Sequence, residues 1–189
     1  MILVLVFIIA SYFFSLQLKK FKYAGLEFEK TKLGKINFYL AKMPLKDMFG
    51  NQASYVSVYF REDPRKLERI KILNNLLLGK NSVFAAESRS LNCEDSNIAS
   101  GTLFLFLSNI GIRPYIGELD GVEALKNNKP IVDCAGNYSH SQVIFKKGNE
   151  SIIKKENNCY IIQTANCEIM NVTERFILGV YAHSNNIKI

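Results

Sequence analysis

Cys93, Cys134, Cys159 and Cys167 are the residues of this chain best suited to chemistry, with 40, 24 and 7 residues between neighbours. Sulfur at such positions can serve as a metal clamp, a redox pair, a nucleophile or a structural clip. None of the spacings is C-x-x-C, which removes a thioredoxin-type dithiol and a zinc ribbon. The only histidines, His140 and His183, fit no recognised Cys/His zinc pattern with them. Asp133, Cys134 and His140 fall within eight residues, but a Cys–His nucleophile needs its base beside it in space, which closeness in sequence does not supply. An even cysteine count downstream of an apolar N-terminal segment points to two disulfides in an oxidising compartment. Four cysteines allow three pairings. The expected one is Cys159–Cys167 with Cys93–Cys134, since a strand ending near Thr164 and a helix starting at Glu168 can fold back on each other. No catalytic residue, metal site or cofactor is expected.

A second candidate lies in "YFREDPRKLERIKI". Asp63 suits an N-cap and Pro64 the first helical position. Arg61, Arg65, Lys66 and Arg69 then form a candidate anion-binding set, because guanidinium forks match carboxylate and phosphate geometry. Glu62, Asp63 and Glu68 are interspersed among them, which equally describes a turn dressed with surface ion pairs. Asn137, Asn149 and Asn171 each begin an N-x-S/T triplet, a candidate glycosylation signal on an exported surface. With 18 Asn and 18 Ser+Thr, chance alone gives roughly 1.7 such triplets, so they do not prove export. Asp120 and Glu123 sit on a short helical turn and read as solvated carboxylates.

The elements that must position these residues begin at the N-terminus. Residues 1–18, "MILVLVFIIASYFFSLQL", carry no charged side chain, and "KKFK" follows. As a helix they span about 27 Å, slightly less than the ~30 Å hydrocarbon core. No basic n-region or Ala-x-Ala-like site marks a cleaved signal peptide, so a transmembrane anchor is expected, with secretion after cleavage as the alternative. Lys19, Lys20 and Lys22, within a basic juxtamembrane segment 19–24, favour a cytoplasmic domain by the positive-inside tendency. The cysteines favour the opposite side, and the stronger constraint is the rarity of structural disulfides in reducing cytosol.

Residues 25–189 are read as a single extracytoplasmic α+β domain, a mixed and mainly antiparallel sheet with segregated helices, clipped by disulfides. Period-two alternation predicts strands at "GLEFEK", "KINFYLAKM" and "SYVSVYF", the first two forming a hairpin through Gly34. A weaker strand is expected at 82–87. "CEDSNIASGTLFLFLSNIG" reads as a helix capped near Asp95 or Ser96 and ended by Gly111. "LDGVEALKN" suggests a short helical turn. "PIVDC", "SQVIFKKG", "SIIKKE" and "NCYIIQT" look like strands, with hairpin turns at Gly148-Asn149 and Asn157-Asn158. Ile169, Val172, Phe176, Ile177 and Val180 give the last helix an apolar stripe on an otherwise polar surface.

Hydrophobic residues at 48% and charged ones at 22% exclude global disorder. Net charge is +7, from 24 basic and 17 acidic residues spread along the chain. That spread suits anionic lipid or envelope polymer better than nucleic acid, for which no binding motif is present. The combination of an apolar N-terminus with "YFREDPRK", "IVDC", "VIFKKGNES", "NNCYII" and "ERFIL" resembles small membrane-anchored proteins of unknown activity from archaeal genomes. The resemblance covers most of the chain after the anchor and implies an envelope location. Together these features lead to the expectation of a cell-envelope protein, held in lipid by residues 1–18, that binds or assembles with another envelope protein or an anionic polymer. The alternative is an extracytoplasmic hydrolase whose site is assembled from distant residues.

Overall fold

The computed structural model describes residues 19–46, 52–87, 92–136, 139–157 and 159–189. The expected anchor, residues 1–18, and Asn137 lie outside them. No described helix is long and apolar enough to cross a membrane. The chain, read from sequence as one domain over 25–189, divides into two compact units at Arg65/Lys66.

The first unit is an antiparallel meander. Its strands are β1 (Lys20–Tyr23), β2 (Leu26–Leu33), β3 (Ile36–Lys46) and β4 (Gln52–Phe60), in that order across the sheet. The basic segment 19–24 thus supplies a strand, joined to β2 by a turn in which Ala24 and Gly25 both have positive φ. Such a turn matches the twist of paired strands. The β2–β3 hairpin turns at Gly34, as expected. Alternation places Leu26, Phe28, Ala41, Met43, Val56, Val58 and Phe60 on the buried face. Phe28 stacks on Phe21 at 5.4 Å and meets Phe60 edge-on at 5.5 Å. Tyr55 and Tyr59, on the opposite face of β4, are exposed.

The second unit holds a six-stranded sheet of β5 (Lys71–Ile72), β6 (Asn81–Ala86), β7 (Arg113–Ile116), β8 (Ser141–Lys147), β9 (Ile152–Glu156) and β10 (Cys159–Thr164). Their order across the sheet is β5-β9-β10-β8-β6-β7. The α+β reading holds, but this sheet is mainly parallel: only the β9–β10 pair is antiparallel. The expected hairpin at Gly148-Asn149 does not form, because β10 inserts between β8 and β9. "PIVDC" makes only an isolated bridge, Ile131 to Glu118. Helix α1 (Ser96–Asn109) connects β6 to β7, and the six-residue α2 (Gly121–Lys126) lies between β7 and β8. Helix α3 (Ile169–Ser184) closes the chain.

Local signals explain the end of α1 and the start of α2. Ile112 N–H donates to Leu107 O at 2.9 Å and Gly111 N–H to Ser108 O at 3.1 Å, with Gly111 at φ +81°. This is a Schellman C-terminus, and it needs a residue that tolerates the left-handed region. Asp120 caps α2 by accepting from Val122 and Glu123 N–H. Helices α1 and α3 pack on each other, and α3 on β10 and β9. The opposite face of the sheet buries Val83, Ala85, Ile144, Cys159 and Ile161 under Val132 and Cys134.

Helix α3 is not the amphipathic surface helix its stripe suggests. Val172 to Ala182 are all buried, including Thr173, Glu174 and Arg175. Segment 70–77 runs along its outer side: Arg175 Nε donates to Ile70 O at 3.1 Å, and Leu76 N–H donates to His183 Nδ1 at 2.8 Å. Gly179 permits the crossing, since a Cβ there would lie 2.6 Å from a Leu76 methyl and 2.7 Å from an Ile72 methyl.

The disulfides form, with a different pairing from the one expected. They are Cys93–Cys167, 74 residues apart, and Cys134–Cys159, 25 apart. Cys159 opens β10 and Cys167 follows its far end, so a strand of about 20 Å separates them. A bridge needs Cα atoms within about 7 Å. The first bond ties the residues just before α1 and α3. The second fastens the 131–136 segment to the sheet face opposite those helices.

Candidate functional site

All four cysteines are consumed by the disulfides. Cys134 is therefore no nucleophile, and the Asp133–Cys134–His140 trio has no thiolate to activate. Asp133 instead accepts from the Ala135 and Gly136 amides, closing a local turn. Buried Gln142 braces the Cys134–Cys159 clip by accepting from Cys134 N–H at 3.0 Å. Its carbonyl oxygen also lies 3.3 Å from Cys159 Sγ, a contact without a proton because that sulfur is oxidised. Among the described residues no three His, Cys, Asp or Glu side chains gather as metal ligands.

The basic set is divided between the two units, Arg61 and Arg65 in the first and Lys66 and Arg69 in the second. Arg65 closes the first unit and grips Asp63 with both arms of its fork, Nε to Oδ1 at 2.9 Å and a terminal nitrogen to Oδ2 at 2.6 Å. The Asp63 hydrogen bond holds the guanidinium above its ordinary pKa, against desolvation. The same guanidinium lies 4.1 Å from the Phe21 ring centroid. Arg69, in a 3₁₀ turn (Lys66–Arg69) of the second unit, pairs with Glu168 at 2.6 Å. Burial raises the Glu168 carboxyl, but hydrogen bonds from Arg69 and Ser151 outweigh it and leave the group below its ordinary value. Arg61 and Lys66 are also engaged. Two of the four, Arg65 and Arg69, thus hold a carboxylate of the protein itself.

Asn149 is exposed in the β8–β9 connection, whereas Asn171 stands in the first turn of α3 with Val172 and Thr173 buried behind it. Asp120 is spent on its cap, and Glu123 pairs with Lys126 at 3.5 Å. His183 lines a cavity of about 460 Å³ between segment 72–77 and the residues after α3. Burial first, and the Arg175 charge second, hold its ring below the ordinary histidine pKa. With Nδ1 accepting from Leu76, a neutral ring carries its proton on Nε2. The polar side chains lining it besides His183 are Asn74, Asn75, Asn186 and Lys188, with no carboxylate side chain or hydroxyl.

A second opening lies at the carboxyl ends of the parallel strands. From β6 the chain passes through α1 to β7 on one side, then returns through α2 to β8 on the other side of β6. Open sheets place ligands where strand order reverses in this way. A crevice of about 350 Å³ occupies that position, lined by Phe84 to Ala86, Phe145, Ile116 and residues of α1. Strand alternation turns Phe84 toward α1, where its ring meets Phe104 at 5.3 Å. Register sets Ala86 opposite Phe145 and Phe84 opposite Ile116. Gly117 then lets the chain turn away: an added Cβ would sit 2.6 Å from a Val83 methyl and 2.8 Å from Pro130 O. The turn carries Glu118 to Lys129, whose ammonium is 2.6 Å from Oε1. Sequence reasoning passed over this site because it did not identify β7, and with β7 missing no β-α-β crossover was visible. The available signal was Gly101, alone within an apolar helical run.

No protein-family model, curated protein or solved structure matches the chain.

Proposed function

We propose that this is a non-catalytic cell-envelope protein, anchored in lipid by residues 1–18, whose disulfide-stapled domain faces outward and binds or assembles with another envelope component. The single observation behind this reading is the closure of all four cysteines into two bonds, an arrangement that persists in oxidising compartments. Exposed apolar side chains on α2 support the assembly role: Val122 and Leu125, at 74% and 86% exposure, share one helix face. The basic balance of +7 favours an anionic surface nearby.

Alkylation of the natively expressed protein without reductant, followed by peptide mapping, tests the reading. Linked peptides Cys93–Cys167 and Cys134–Cys159 with no alkylated thiol are expected. Four alkylated cysteines would overturn it and turn the domain toward the cytoplasm. The rival hydrolase reading draws on His183 beside its cavity. It is weakened by a lining whose ionisable side chains are one imidazole and the Lys188 ammonium, with no hydroxyl, thiol or carboxylate side chain.

A further inference from the structure

The crevice at the carboxyl ends of β6, β8 and β7 has features that its packing alone does not require. Gly101 stands mid-helix in α1, where glycine costs roughly 1 kcal/mol relative to alanine. A Cβ added there meets nothing within 4 Å, so the glycine relieves no clash. Its missing side chain leaves part of the crevice wall open. Around the opening stand three phenyl rings, Phe84, Phe104 and Phe145, with Ile116 at the mouth. Ser100 adds a hydroxyl. The rim charges, Glu118 and Lys129, neutralise one another at 2.6 Å.

We infer that this crevice binds a compact, uncharged aromatic molecule carrying one hydroxyl, of the benzyl alcohol or phenol class. Size sets the first limit, since about 350 Å³ is near the lower end of small-molecule pockets. The three rings offer edge and face contacts to a fourth. A carboxylate or ammonium on the ligand would have to compete with an ion pair already satisfied internally, and would lose its own hydration in doing so. A hydroxyl finds Ser100 and the rim pair within the same crevice. The inference goes beyond the assembly reading above and depends neither on it nor on the compartment.

The test is photolabelling of the full chain with trifluoromethyl-diazirinyl benzyl alcohol, mapped by peptide mass spectrometry, with unlabelled benzyl alcohol as competitor. Saturable labelling of peptides from α1 and β8 is expected, displaced by the competitor. Gly101→Leu fills the opening with a good helix former and should cut that labelling roughly tenfold or more, with an unchanged circular dichroism spectrum. Ser100→Ala should weaken competition by benzyl alcohol more than by toluene. Saturable labelling elsewhere, unaffected by Gly101→Leu, would overturn the crevice assignment while leaving a binding domain in place. Labelling that never saturates would overturn the ligand class, and disulfide mapping would then judge the wider reading on its own.

Discussion

Gly101 and Gly111 provide a paired perturbation in which the same substitution acts in opposite directions. At both positions an added Cβ meets nothing within 4 Å, so contact energy does not separate them. Gly101 lies inside α1 with helical dihedrals, and Gly111 ends the helix at φ +81°. Gly101→Ala removes backbone freedom from the unfolded chain and should stabilise by up to about 1 kcal/mol. Gly111→Ala places a Cβ in the left-handed region and should destabilise by about 1 kcal/mol or slightly more. The two variants should therefore differ by about 2 kcal/mol, or roughly 8 °C in Tm for a unit of this size. Urea and thermal unfolding followed by far-ultraviolet circular dichroism suit the measurement, because the chain has no tryptophan. The m-value should stay constant in both, marking a change in stability rather than in compactness. Destabilisation by Gly101→Ala would refute the open crevice wall. Equal signs for both would refute the assignment of Gly111 as the helix terminator.

Replacing Cys93 and Cys167 by alanine should cost about 4.5 kcal/mol by loop closure over 74 residues, and the Cys134–Cys159 pair about 3.5 kcal/mol over 25. Because Cys159 is fully buried and Cys167 exposed, lost packing should narrow that gap in urea unfolding; a cost under about 1 kcal/mol for the longer loop would contradict the pairing. His183 has a folded pKa below its unfolded one, so its contribution is complete above about 6.5 and is lost as pH falls through the folded value. Protection of the Leu76 amide, bonded to that ring, measured as its hydrogen-exchange rate relative to the intrinsic rate at each pH, should fall as pH drops through this window in the native protein and show no such transition in His183→Gln. Glu168 is also depressed, so its pairing with Arg69 supports the fold above the ordinary carboxylate range and fails as pH falls below it. Glu168→Gln should flatten that part of the acid unfolding curve. Val122→Ser with Leu125→Ser should change stability by less than about 0.5 kcal/mol yet reduce cross-linking to envelope partners in intact cells; unchanged cross-linking would remove α2 from the assembly surface.

Local chemistry was legible wherever a single segment carries its own instructions. Alternating Leu26 and Phe28 against Glu27 and Glu29, the turn at Gly34, Asp120 before a short helix and Gly111 after a longer one all mark their elements by side-chain period or φ tolerance. Even cysteine number downstream of an apolar segment was enough to anticipate two disulfides. Which cysteines meet was not legible, because pairing depends on where β10 lies, and β10 enters between two strands that sequence order makes neighbours. The gain from that insertion comes from non-local ladders and from burying Ile161 and Ile162 on opposite faces, neither of which has a short-range signature. The same cause hid the burial of α3, whose polar side was covered by a distant segment bonding to Arg175 and His183. It also hid the crevice, formed where three strand ends and one helix meet around a glycine. Residue types and their periods therefore determined most of the elements, the hairpin turn at Gly34, the helix end at Gly111 and the use of cysteine. Tertiary structure alone decided strand order, disulfide partners and the site, because each depends on contacts between residues that only the folded chain brings together.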